Sequence, residues 1–192
     1  MFGKRLIDIA ISLFALTLFL PFFAVIAIII RIELGSPILF KQNRVGEFGE
    51  NFTIYKFRTM KDIKHPKFSK CITRNTRIIR WFGLDELPQF YNILIGDMSF
   101  VGPRPSMPNW FKKCNGYELY ADRLIVKPGL VPVHMARGYP AKKRHIIYTD
   151  DCDYATRPIT FLGDVRIVLK TIIYLLNIKT YKEILPNDAI EA

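Results

Sequence analysis

The chain has 192 residues, enough for one domain with a real core, and a formal net charge of +11, which points to an anionic partner: nucleic acid, acidic lipid or a phosphorylated substrate. Half of its residues are hydrophobic and its mean hydropathy is +0.14, unusual at an isoelectric point of about 9.7; this favours a seat on a membrane over a role confined to nucleic acid. Cys71, Cys114 and Cys152 are isolated, which argues against a disulfide framework or a cysteine zinc site and fits a reducing compartment.

Lys4 and Arg5 lead into residues 6–30, whose only charge is Asp8. At about 1.5 Å per residue, this run is long enough to span a hydrocarbon core as a helix, and too long for a signal peptide. Pro21, near its middle, removes a helical hydrogen bond and predicts a kink. Two geometries follow: a kinked single span, or a helix that enters one leaflet and returns to the same face. Cations at both ends (Lys4 and Arg5, then Arg31) favour two ends on one, cytoplasmic, side. A buried core helix is the plainer alternative.

Gly35-Ser36-Pro37 breaks the helix. Residues 38–40 and 52–57 read as the two strands of a β-hairpin around a turn-rich stretch at 42–49. Lys56 and Arg58 on that hairpin are either solvated strand charges or phosphate contacts. Residues 61–72 read as a basic surface loop. Arg74, Arg77 and Arg80 then recur at three-residue spacing and share one face of a predicted helix over 74–81, either solvated or facing phosphate.

Next come two adjacent carboxylates, in Gly83-Leu84-Asp85-Glu86-Leu87-Pro88-Gln89-Phe90. The pattern predicts a short helix running through Phe90, Tyr91, Ile93 and Leu94 to a stop at Gly96, with Asp85 as N-cap and Pro88 in the first turn. Arg80 precedes the pair, and Arg104 closes the run 97–105 that follows. A carboxylate between arginines at a helix start suits chemistry on a phosphate: arginines hold the oxygens, and the carboxylate attacks or binds a metal. The plain alternative is an N-cap beside a dipole-complementing Glu. Asp97 offers a further metal contact or a structural turn residue.

Residues 107–126 read as another helix, with Trp110, Phe111, Leu119 and Leu124 available for burial or a membrane surface. His134 and His145 lack metal-ligand company and read as ordinary polar residues. Residues 162–176 carry apolar side chains at helical spacing, an amphipathic helix for the core or the membrane interface. The fold class expected is mixed α/β, mostly helical. No P-loop, Rossmann glycine pattern or internal repeat is present.

Four motifs in order carry a resemblance: Phe40-Lys41-Gln42-Asn43-Arg44-Val45-Gly46, Ile54-Tyr55-Lys56-Phe57-Arg58-Thr59-Met60, Leu84-Asp85-Glu86-Leu87-Pro88-Gln89, and residues 96–105. Together they resemble the bacterial sugar transferase family, the small monotopic phosphoglycosyl transferases, over nearly the whole chain. The resemblance implies a re-entrant membrane helix at 1–34, a catalytic domain at 35–185 on the cytoplasmic face of the bacterial inner membrane, and a loose tail at 186–192. It implies transfer of a sugar 1-phosphate from a UDP-sugar to polyprenyl (undecaprenyl) phosphate, with UMP released and Mg²⁺ required. Asp85 matches the nucleophile, which forms a covalent phosphosugar intermediate and which a nearby arginine should keep ionised. Glu86 is its partner, orienting the metal with Asp85 or taking a proton from the lipid phosphate. Arg80 and Arg104 match family arginines near the phosphates, and Lys56 and Arg58 lie within a matching motif.

Two departures stand out. Leu20 replaces a serine often found before the helix proline, and Tyr139 falls where an arginine helps hold substrate. Arg137, or the cluster Lys142-Lys143-Arg144, is the nearest replacement. The partners implied are UDP-sugar, polyprenyl phosphate and membrane lipids, not nucleic acid. A membrane-docked, non-catalytic binding or scaffold module is the alternative that the altered 131–140 loop leaves open.

Overall fold

Pro21 and its neighbours break the N-terminal helix as expected. A computed structural model describes residues 2–61, 71–108, 121–138 and 144–176. Helix α1 (Phe2–Leu18) and helix α2 (Leu20–Glu33) meet at a 60° bend at Phe19. Pro21 sits in the first turn of α2, where a missing N–H costs little. Thr17 supplies a hydroxyl just before the bend, donating to the Leu13 carbonyl at 2.9 Å. Among the described residues no single helix is long and apolar enough to cross a membrane; the bent pair together has the length and composition.

The pair has two faces. Ala15, Ile26 and Ile30 join a core completed by Ile54, Phe57 and Ile93. Phe14, Leu20, Phe22, Ile28 and Ile32 are each more than half exposed on the other side. The one acidic residue of the run, Asp8, is buried and accepts hydrogen bonds from Ser99 Oγ at 2.8 Å and the Phe100 N–H at 3.0 Å.

Strands β1 (Leu39–Val45) and β2 (Asn51–Phe57) form the expected antiparallel hairpin, in register from Leu39 opposite Phe57 to Val45 opposite Asn51. The first strand runs five residues beyond the predicted 38–40, because β2 provides partners for the polar Gln42, Asn43 and Arg44. Helix α3 (Arg74–Trp81) is where the arginine spacing put it, capped by Thr73. Helix α4 (Gln89–Ile95) stops at Gly96, whose φ of 103° suits a residue without a Cβ. The Arg5 guanidinium of α1 donates to the Ile93 and Leu94 carbonyls near the end of α4, at 2.5 and 2.7 Å.

An unforeseen sheet pairs strands β3 (Ser99–Gly102) and β4 (Gly129–Pro132) in parallel. Their backbones touch: a Cβ on Gly129 would stand 2.0 Å from the Gly102 nitrogen. Helix α5 (Arg144–Thr156) was also not foreseen, while helix α6 (Phe161–Leu176) matches the predicted amphipathic segment and leaves Leu162, Ile173 and Leu176 exposed. The fold is mixed α/β with helices dominant, as expected. Of the predicted helix at 107–126, residues 109–120, with Trp110, Phe111 and Leu119, lie outside the described residues; Leu124 ends a short 3-10 turn, Ala121–Leu124. Most of the 61–72 loop and the tail also lie outside them.

Candidate active site

Asp85 does not cap a helix, contrary to the sequence expectation. It lies in a 3-10 turn, Leu84–Glu86, introduced by Gly83 in the left-handed region (φ 68°), and neither this turn nor α4 has a side-chain cap. Pro88 takes the N-cap position of α4, so the turn is one step out of phase with the sequence pattern. The Asp85 carboxylate is therefore not spent on capping, and it is only 8% exposed.

Three elements supply charge around the pair. Lys56 of β2 forms an ion pair with Glu86. Arg80, in the last turn of α3, acts on Asp85 and donates to Thr59 Oγ1 at 3.4 Å. Arg104, exposed between the buried Pro103 and Pro105 after β3, acts on Glu86. These charges separate the two carboxyls. Burial and the Glu86 charge push Asp85 up to about 6, against the pull of Lys56 and Arg80. Arg80 pulls Asp85 towards its charged form, as expected, but desolvation outweighs that pull and leaves the carboxyl above its ordinary value. Burial also pushes Glu86 up, but Lys56, Arg104 and hydrogen bonds from Lys56 and Gln89 outweigh it and hold that carboxyl below its ordinary value.

Arg58 and Arg137 have other employment. Arg58 is buried and donates to the Leu34 and Gly35 carbonyls at 2.6 and 2.8 Å, tying the end of α2 to the hairpin. Arg137 pairs with Asp150 at 2.9 Å and Asp153 at 3.6 Å. Neither is among the principal charges acting on Asp85 or Glu86. Tyr139, Lys142 and Lys143 lie outside the described residues. Asp97 takes the structural option, accepting from Asn92 Nδ2 at 3.1 Å.

Sequence reasoning left Arg44 inside a motif without a role. It lies close enough to Arg104 and Glu86 to feel both, and burial and Arg104 lower its pKa. His134 is also nearby: buried, and pushed down to about 4 by desolvation and then by Arg104 and Arg123, so it is neutral at ordinary pH. No group of three or more His, Cys, Asp or Glu side chains suited to a metal occurs among the described residues. Two adjacent carboxylates fit Mg²⁺ nonetheless, because that ion is commonly held by one or two carboxylates plus substrate phosphates.

A buried carboxyl beside one held below its ordinary value, with cations from β2, α3 and the segment after β3 acting on the pair, is an arrangement suited to phosphate groups. The bacterial sugar transferase family model matches residues 1–178, and the chain belongs to that family. It is 36% identical over 181 residues to the UDP-N-acetylgalactosamine-undecaprenyl-phosphate N-acetylgalactosaminephosphotransferase of Aeromonas hydrophila, covering 89% of this chain and 43% of that protein. It is 34% identical over 188 residues to the exopolysaccharide production protein PSS of Rhizobium leguminosarum bv. phaseoli, covering 88% of this chain and 93% of the relative. Over 138 residues it is 36% identical to the UDP-glucose:undecaprenyl-phosphate glucose-1-phosphate transferase of Escherichia coli (strain K12), covering 66% of this chain and 29% of that one. The chain thus spans less than half the length of the first and third of these relatives.

Proposed function

We propose that this protein transfers a sugar 1-phosphate from a UDP-sugar to undecaprenyl phosphate, releasing UMP, as the first membrane step of glycan assembly. The observation that carries the reading is the split carboxyl pair, Asp85 and Glu86, set among Lys56, Arg80 and Arg104. A carboxylate oxygen of Asp85 attacks the phosphorus bound to the sugar. The bond from that phosphorus to the bridging oxygen breaks, and UMP leaves with the electron pair. An oxygen of the lipid phosphate then attacks the same phosphorus, and the bond to Asp85 breaks, restoring the carboxylate.

Arg80 and Arg104 are suited to the oxygens of the transferring and leaving phosphates. Asp85 and Glu86 are the residues that would hold Mg²⁺, which when bound offsets the charge of the pyrophosphate. Glu86, with its lowered pKa, is a weak base and a better metal ligand than proton acceptor. The bent, apolar α1–α2 pair and the exposed face of α6 support a re-entrant seat in the inner membrane with the site on the cytoplasmic face.

The test is UMP release from a panel of UDP-sugars with Mg²⁺ and polyprenyl phosphate, for the wild type and Asp85→Asn. Release from one or two donors, lost in Asp85→Asn and without Mg²⁺, is the expected result and names the sugar. Release that survives Asp85→Asn would remove the nucleophile assignment. No release from any donor, with the protein folded in membrane, would favour the non-catalytic binding or scaffold module.

A further inference from the structure

The side chain of Arg104 stands exposed, yet the backbone beneath it is fixed at four consecutive carbonyls. The Pro103 carbonyl accepts from the Gly129 N–H at 2.8 Å, and the Ser106 carbonyl from the Val45 N–H at 2.9 Å. Between them, the Pro105 carbonyl accepts from Arg44 Nη1 at 3.1 Å and the Arg104 carbonyl from Arg123 Nη2 at 2.5 Å. Pro103 and Pro105 also lock their own φ angles. Such a segment has little freedom left except in the arginine side chain it presents.

Arg123 is the most elaborate of these clamps. It is 2% exposed, and its Nη2 also meets Oδ2 of Asp151, which is fully buried in α5, at 2.7 Å. Its Nη1 donates to Ser106 Oγ at 2.7 Å, and its guanidinium lies 4.3 Å from the centre of the Tyr148 ring. A buried ion pair is a poor source of stability, since well-packed apolar residues of equal volume often do as well or better. What apolar residues cannot do is hold the Arg104 carbonyl and the Ser106 hydroxyl with one rigid fork.

We infer that Arg123, oriented by Asp151, is a positioning residue that aims Arg104 at the phosphates of the substrate. The inference rests on the reading of Arg104 as a phosphate contact. Lysine at 123 keeps the charge but not the fork, so Arg123→Lys separates geometry from electrostatics.

The experiment is a double-mutant cycle on the whole 192-residue chain in nanodiscs with Mg²⁺, using wild type, Arg104→Ala, Arg123→Lys and the double variant. UDP affinity is read by calorimetry, with UMP release and the melting temperature of each protein alongside. Arg123→Lys is expected to weaken UDP binding by about tenfold, with the fold retained, and to add nothing in the Arg104→Ala background. Equal losses in both backgrounds would overturn the inference, as would a wild type that binds no UDP or an Arg104→Ala variant that binds it unchanged. If Arg123→Lys does not fold, Asp151→Asn takes its place in the cycle; failure of both to fold would make the pair purely structural and overturn the inference too. A non-additive cycle in UDP binding without UMP release from the wild type would sink the transferase reading and leave the positioning role standing.

Discussion

At Asp85 desolvation and neighbouring charge compete, and desolvation wins, which couples reactivity to pH. With its carboxyl near 6, Asp85, the proposed nucleophile, is mostly protonated at about pH 5 and mostly ionised above about pH 7. In the metal-free protein Asp85 should therefore lose its proton through that range with a midpoint near 6, which NMR titration of its carboxyl checks, while Glu86 is held below its ordinary value. A carboxyl already ionised well below pH 5 would mean that the neighbouring cations outweigh burial. The same shift carries a stability cost. Folding raises the Asp85 pKa from 3.8, so the ionised group opposes the fold. The opposition is absent below about pH 4, where both states are protonated, and complete above about pH 6, where it amounts to about 3 kcal/mol. Asp85→Asn should accordingly raise the melting temperature at neutral pH while abolishing transfer, and the two melts should converge in acid. Thermal unfolding of both proteins at neutral and acid pH checks it.

At the level of elements, the tightest fit is between β3 and β4. Gly129→Ala would drive a methyl into the Gly102 backbone, with no flexible side chain to yield, and is expected to cost about 3 kcal/mol or more. Gly3→Ala, with open space around the new carbon, is the matched control and should be near neutral. Comparing the two melting temperatures checks the difference. Elements with a regular period were readable from the chain alone: the hairpin and α6 by their apolar residues, and α3 by the spacing of its arginines. Helix α5 did not, because the residues it buries include Asp150 and Asp151 beside Ile147 and Tyr148, which leaves no apolar stripe to read. The β3–β4 pair escaped because its strands have four residues each and meet across a long separation. In the site, residue types were legible but partners were not. Lys56 and Arg58 look alike on the hairpin, yet one meets Glu86 and the other the carbonyls that end α2. That division depends on where α2 stops in space, which no local pattern encodes.

For the whole molecule, the proposed membrane seat would rest on two attractions: a net charge of +11 and the exposed apolar faces of α1, α2 and α6. Electrostatic attraction to anionic lipid decays within about a Debye length and is screened by salt, whereas apolar insertion is not. In a vesicle flotation assay, the protein should bind anionic vesicles most strongly at low salt, yet remain on neutral vesicles at high salt. Complete release at high salt would reduce the apolar faces to a minor role and leave charge as the main attraction.

The grip of α1 on the rest of the chain bears on how the protein is to be handled. Asp8 holds the Ser99 hydroxyl and the Phe100 N–H, Arg5 holds the carbonyls near the end of α4, and Ala15, Ile26 and Ile30 sit inside the common core. Trimming residues 1–34 to obtain a soluble fragment would remove these contacts to β3 and α4 and take Ala15, Ile26 and Ile30 out of the core that Leu87 and Phe90 share. Purification and ligand screening thus call for the intact chain in detergent or a lipid disc, and a truncated product that stays soluble is not a faithful stand-in for the protein.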